Sequence, residues 1–171
     1  MTILNDTVLE SNKYLKINFD GGDLSSDAGL LLIKEFACKL GFVKLLKSEF
    51  KTNDSACFRY HKDDENLWQV IYQILGAYFE DDCADELTND PVLTAVLEKK
   101  SLASQPTLSR FFNRLDETTL NQFYNLMRRF RKVVYSIKKP EMILQDLDST
   151  LLITYGHQEG EGFNYHYHNH G

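Results

Sequence analysis

The chain has 171 residues, enough for one good core and at most a second small subdomain. Hydrophobic residues make up 43% and charged residues 26%. That is ordinary for a soluble globular protein, and no segment approaches the roughly 18 apolar residues a membrane helix needs. The formal net charge of −6 argues against indiscriminate DNA binding, but the distribution of charge counts for more than its sum.

The opening MTILNDTVLE has neither a basic start nor a long apolar run. It does not read as a signal peptide, and residues 1–12 read as a loose leader. Cys38, Cys57 and Cys83 are odd in number and far apart, which suits a reduced, cytoplasmic setting with small core thiols. In YLKINF the apolar Leu15, Ile17 and Phe19 alternate with polar residues, predicting a short strand with one buried face. Asp20-Gly21-Gly22 is a turn. Ser25, Ser26 and Asp27 are candidate caps for a helix through AGLLLIKEFACKL, with Gly41 as its stop. FVKLLKS adds one or two turns, and the polar stretch from Glu49 to Asp64 reads as a surface loop. Within it Arg59, His61 and Lys62 are either phosphate contacts or plain solvated residues.

Asn66 is the expected cap of an amphipathic helix whose buried stripe is Leu67, Val70, Ile71, Ile74, Leu75 and Tyr78, flanked by Trp68. Glu80-Asp81-Asp82 resembles a metal cluster only superficially. It reads as a loop and helix N-terminus, where carboxylates complement the helix dipole. Asp90-Pro91 opens a short helix, PVLTAVLEK, as a cap followed by proline.

Residues 101–139 carry eight Lys or Arg against two acids, whereas residues 1–100 carry 11 against 18 and residues 140–171 carry none against five. The chain is an acidic body with a basic waist. In the waist, SQPTLSRFFNRL predicts a short helix with a buried face of Leu108, Phe111, Phe112 and Leu115. Its polar face holds Thr107, Ser109, Arg110, Asn113 and Arg114. After a tight turn, such an element resembles the reading helix of a helix-turn-helix. An ordinary amphipathic helix with surface ion pairs is the equally weighted alternative. Asp116 caps a long helix from Glu117 to Ser136, with a core stripe of Leu120, Phe123, Tyr124, Met127, Phe130, Val134 and Ile137. Arg128, Arg129, Arg131 and Lys132 crowd its later turns, where they suit either the helix dipole or a phosphate backbone.

Pro140 stops that helix. Met142, Ile143, Leu144 and Leu147 then form an apolar run that predicts a buried strand. Alternation puts Met142, Leu144, Asp146 and Asp148 on one face. Two carboxylates on a buried face need partners or a cation. The other reading is a solvated turn or cap at Asp-Ser-Thr. The closing FNYHYHNHG also alternates, with His166, His168 and His170 on one strand face. Three such histidines suit Zn²⁺ or Ni²⁺, although no cysteines or carboxylates are placed beside them to complete a site.

QDLDSTLLITYGHQEGEGFNYHYHNHG resembles the start of the catalytic domain of DDE transposases from bacterial insertion sequences. The group it is most similar to has an Asp-Leu-Asp-(Ser/Ala)-Thr strand, then Tyr-Gly-x-Gln-Glu, then Phe-Asn-Tyr. FDGGDLSSDAGLLLIKE, EDDCADELTNDPVL and SQPTLSRFFNRL resemble the group's N-terminal region. The resemblance runs from about Phe19 to the end.

What the resemblance implies is an RNase H-like core in which two Asp and one Glu hold Mg²⁺ or Mn²⁺ for DNA strand cleavage and transfer. It puts the first acid at Asp148, the metal ligand, with Asp146 as second choice. The other two acids are expected further along than Gly171. The fold class expected is a mostly α N-terminal region, residues 1–139, leading into the first two strands of an incomplete RNase H-like α/β core, residues 140–171. The expected partner is double-stranded DNA at transposon terminal inverted repeats, with a homo-oligomer also compatible and no membrane. Such a chain is an N-terminal part of a bacterial cytoplasmic transposase, catalytically incomplete alone. The alternatives are a truncated regulator that occupies transposon ends and a helical interaction domain without a DNA role.

Overall fold

The computed structural model describes residues 7–21, 25–80, 82–148 and 150–171. Asp81, Gly22 and Ser149, which belong to motifs named above, lie outside that set, as do residues 1–6 of the expected leader. The chain divides into two compact units, one running to Lys138 and one from Lys139 to Gly171.

The first unit is helical with one small ribbon. Strand β1 (Thr7–Val8) pairs antiparallel with β2 (Lys16–Ile17), Thr7 opposite Ile17. The described part of the leader is therefore not loose: Leu9 is completely buried, and the Ser11 N–H donates to the Glu35 carboxylate at 2.9 Å. Of the alternating residues in YLKINF, Ile17 is buried but Phe19 is exposed, because the pairing stops before it reaches Phe19.

Helices α1 (Gly29–Lys39) and α2 (Phe42–Glu49) meet at Gly41, whose φ of 72° is the left-handed conformation that ends one helix and redirects the chain. Asp27 does not cap α1. Its carboxylate instead accepts the Tyr78 hydroxyl at 2.8 Å. Helix α3 (Asp63–Leu75) begins three residues before the expected cap. Asn66 lies inside it, buried, and Glu65 reaches back to the Lys62 N–H at 3.1 Å. Helix α4 (Cys83–Glu86) and a 3₁₀ turn (Leu87–Asn89) lead to α5 (Pro91–Leu97). There Asp90 caps as expected, its Oδ1 accepting the N–H groups of Val92 and Leu93 at 2.9 and 2.7 Å. Helices α6 (Gln105–Phe112) and α7 (Glu117–Ile137) complete the unit. Asp116 caps α7 through the Thr119 N–H at 2.9 Å.

Helix α3 is the hub. Tyr72 joins Leu9, Ile17, Leu30, Leu93, Val96 and Leu102 in one apolar cluster, and Leu67 joins Leu46, Phe50, Phe111 and Leu126 in another, with Trp68 packed against both. Its buried face departs from the expected stripe. Gln69 and Gln73 are buried, whereas Ile74 and Leu75 are exposed. Helix α7 departs likewise. Phe123, Leu126 and Phe130 face α2, but Leu120, Tyr124, Met127, Val134 and Ile137 stand exposed.

In the second unit the expected strand over Met142 to Leu147 is not formed. The segment has no regular structure, and Leu144 is 88% and Leu147 85% exposed. A strand exists only with a neighbour to take its hydrogen bonds, and no described segment pairs with this one. The closing run is also not a single strand. It folds into a hairpin of β3 (Phe163–Asn164) and β4 (Asn169–His170), Phe163 opposite His170. Asn164 drives the turn, its side-chain oxygen accepting the N–H groups of His166 and Tyr167 at 3.0 and 3.3 Å. The Thr154 N–H donates to the His170 carbonyl at 3.4 Å, so a third segment begins to lie along the hairpin.

Candidate nucleic-acid interface

Two acceptors from elsewhere in the fold set the start of α6. Gln69 in α3 holds the backbone of Ala103 through both ends of its amide, each bond 2.8 Å. Asp85 in α4 accepts the Gln105 N–H at 2.8 Å. Pro106 in the first turn costs no hydrogen bond there. Leu108 and Phe111 are buried, and Pro106, Ser109, Arg110 and Asn113 are exposed on the opposite side. Thr107 is half-buried, its hydroxyl 3.2 Å from that of Ser104. A groove of about 450 Å³ separates α6 from the end of α3, lined by Ile74, Phe79, Ser109, Phe112 and Asn113 among others.

The surroundings are not a helix-turn-helix. Residues 98–104 separate α5 from α6, longer than a tight turn, and α6 packs on α3 and α4. Arg114 also departs from its expected role. It is only 16% exposed, donates to Asp63 at 2.8 Å and to the Arg110 carbonyl at 2.9 Å, and lies 3.6 Å from Asp54. It stitches α6 to the loop before α3. That network also claims Arg59, which clasps Asp54 at 2.6 and 2.9 Å. The Arg59 guanidinium and the Ala56 N–H hold the Asp54 carboxyl down at about 2. Burial, and then the Lys99 charge, lower the proton affinity of His61 below its ordinary value, which disfavours the charged form a phosphate would attract. Lys62 remains exposed.

On α7, Arg128 and Lys132 are one turn apart, with Arg131 beside them, all exposed. None takes an ion pair among the described residues. Arg129 differs: it is bound to Glu49 of α2. Of the basic candidates on α6 and α7, Arg110, Arg128, Arg131 and Lys132 are exposed without an ion pair among the described residues. The side chains of Asp146 and Asp148 are exposed.

A family model for the transposase DDE domain, group 1, matches residues 7–171. The chain belongs to this family. DDE transposases act on DNA and generally use divalent metal ions. No curated protein and no solved structure matches it significantly.

The described carboxylates do not gather into one cluster. Among the described residues no three His, Cys, Asp or Glu side chains come together, and two ions need more carboxylates than Asp146 and Asp148 supply. The histidine reading changes as well: His166 and His168 lie in the hairpin turn, His168 with φ of 52°, and only His170 lies on a strand. Among the described residues no helix is long and apolar enough to cross a membrane.

The sequence allows ion pairs from the arginines of α6 but gives no signal that Arg114 is largely buried or which acids it meets. Its partners Asp54 and Asp63 lie more than fifty residues away, in a stretch read as an irregular loop. Gln69 was likewise invisible, since a glutamine at that spacing reads as surface.

Proposed function

We propose that this chain is the DNA-binding part of a DDE transposase, holding transposon-end duplex on α6 and α7 and contributing Asp148 as the first metal-ligating acid for strand cleavage and transfer. The observation that carries the DNA reading is the family match over residues 7–171, joined to a set of exposed basic side chains with no ion pair among the described residues: Arg110, Arg128, Arg131 and Lys132. Ser109 and Asn113 beside Arg110 are the candidates for base edges, and Thr107 supports the helix start. Arg114 and Arg129 serve the fold through Asp63 and Glu49 and are not assigned to DNA. Terminal inverted repeats are the duplex this reading names, and Mg²⁺ or Mn²⁺ is the ion that Asp148 would share with two further acids.

Divalent ions held there would supply charge stabilisation for a phosphodiester displacement. Asp148, with Asp146 near it in sequence, offers hard oxygen ligands of the right kind. A second reading uses the same basic side chains without chemistry: a regulator that occupies transposon ends without cutting them. Competition separates the two. A chain that only occupies ends inhibits strand transfer by a complete transposase of the same element. A chain that is part of the catalytic assembly supports transfer when the remaining part of the core is supplied.

A further inference from the structure

Helix α7 has three faces. Phe123, Leu126 and Phe130 pack toward α2, the Phe130 ring 4.3 Å from that of Phe42 and the Phe123 ring 5.2 Å from that of Phe50. Arg128 and Lys132 stand on a basic face. Between them runs an apolar stripe of Leu120, Tyr124, Met127 and Val134, edged by Tyr135, every one of them exposed and uncovered by any described residue. At 1.5 Å per residue the stripe from Leu120 to Val134 is about 21 Å long. Scattered exposed apolar residues need no explanation, but a continuous stripe at helical spacing marks a contact surface.

The charges around the stripe identify what covers it. Its N-terminal end is acidic, with Asp116 and Glu117, and its C-terminal end is basic, with Lys138. A second α7 laid parallel would set like charge on like. Laid antiparallel about Met127, it sets Leu120 against Val134 and brings Glu117 near Lys138. Such a surface is complementary to itself, the defining property of a twofold interface.

We infer that this stripe is the seam of an antiparallel homodimer with its twofold axis at Met127. The inference does not rest on the DNA reading, but it has a consequence for it. A twofold perpendicular to both helices keeps the two Arg128–Lys132 faces on one side of the dimer. The basic surface is thereby doubled, and both α2 helices lie on the other side.

Sedimentation of the full chain over a range of concentrations tests this directly. A monomer–dimer equilibrium is expected, and Met127→Lys, which sets two cations face to face at the axis, is expected to leave only monomer. Met127 is 57% exposed, so circular dichroism should show an unchanged fold. Orientation is read by oxidative cross-linking in a Cys57→Ser background, because Cys57 is the exposed native thiol. A mixture of Leu120→Cys and Val134→Cys chains should give mixed dimers in excess of like dimers. A chain that is monomeric at every concentration, a dimer that survives Met127→Lys, or like-with-like cross-links would each overturn the proposal.

Discussion

Gln69 and Ala103 exchange two hydrogen bonds of 2.8 Å, the side-chain amide of one completing the backbone of the other. Both residues are buried, Gln69 to 2% exposure. The pair fixes the last residues before α6 to the middle of α3 and so sets the direction in which the exposed face of α6 points. Replacing Gln69 by Leu keeps the volume but leaves a buried N–H and a buried carbonyl without partners. A loss of roughly 2–4 kcal/mol in unfolding free energy is expected, measurable by denaturant titration. An unchanged midpoint would mean that the segment 101–104 is not anchored this way.

Arg114 and Arg110 differ by one turn and should differ in kind. Arg114→Ala leaves Asp54 and Asp63 without their shared cation, so the melting temperature should fall by several degrees. Arg110→Ala removes an exposed charge with no ion-pair partner among the described residues, so stability should hold while DNA affinity drops. The opposite assignment, with Arg114→Ala fully stable and selectively defective in DNA binding, would return Arg114 to the interface.

Acid should loosen the same network. The Asp54 carboxyl titrates at about 2 in the folded chain, below its ordinary 3.8, held down chiefly by Arg59. A depressed carboxyl contributes its stability above the unfolded value and loses it as pH falls toward the folded value. Thermal stability should therefore decline between about pH 4 and pH 2, and Asp54→Asn should flatten that decline while lowering stability at neutral pH. Parallel pH profiles for the two proteins would remove Asp54 from the account.

The helices of the first unit were legible because their signals are local. Asp90 and Asp116 cap where the sequence places them, and Gly41 turns the chain where a positive φ is needed. What was not legible depends on partners. The apolar residues of α7 were read as one core stripe, whereas the fold buries only those that meet α2 and leaves Leu120, Tyr124, Met127 and Val134 outside. Periodicity reports that a helix has an apolar side, not how many elements cover it. The run from Met142 to Leu147 has strand composition but no neighbour among the described residues to pair with. Asp148 as a metal ligand rests on motif resemblance, because the signal for a metal centre lies in residues far apart in sequence rather than in local pattern.

Catalysis gives a further check. Purified, tag-free chain is expected not to nick supercoiled DNA in Mg²⁺ or Mn²⁺, because one or two carboxylates do not fix two ions. Nicking that survives purification and disappears in Asp148→Ala would show that a working centre forms without further acids.

The most direct test is binding of the chain to duplex carrying the terminal repeat of its own element, against scrambled duplex, at two salt concentrations. Selective binding that weakens steeply with salt is expected. Replacing Arg110, Arg128, Arg131 or Lys132 by Ala should each flatten the log–log salt slope by about 0.9, the contribution of one phosphate contact. Absence of binding at low salt, or binding indifferent to all of these replacements, would contradict the assignment of α6 and α7 to DNA.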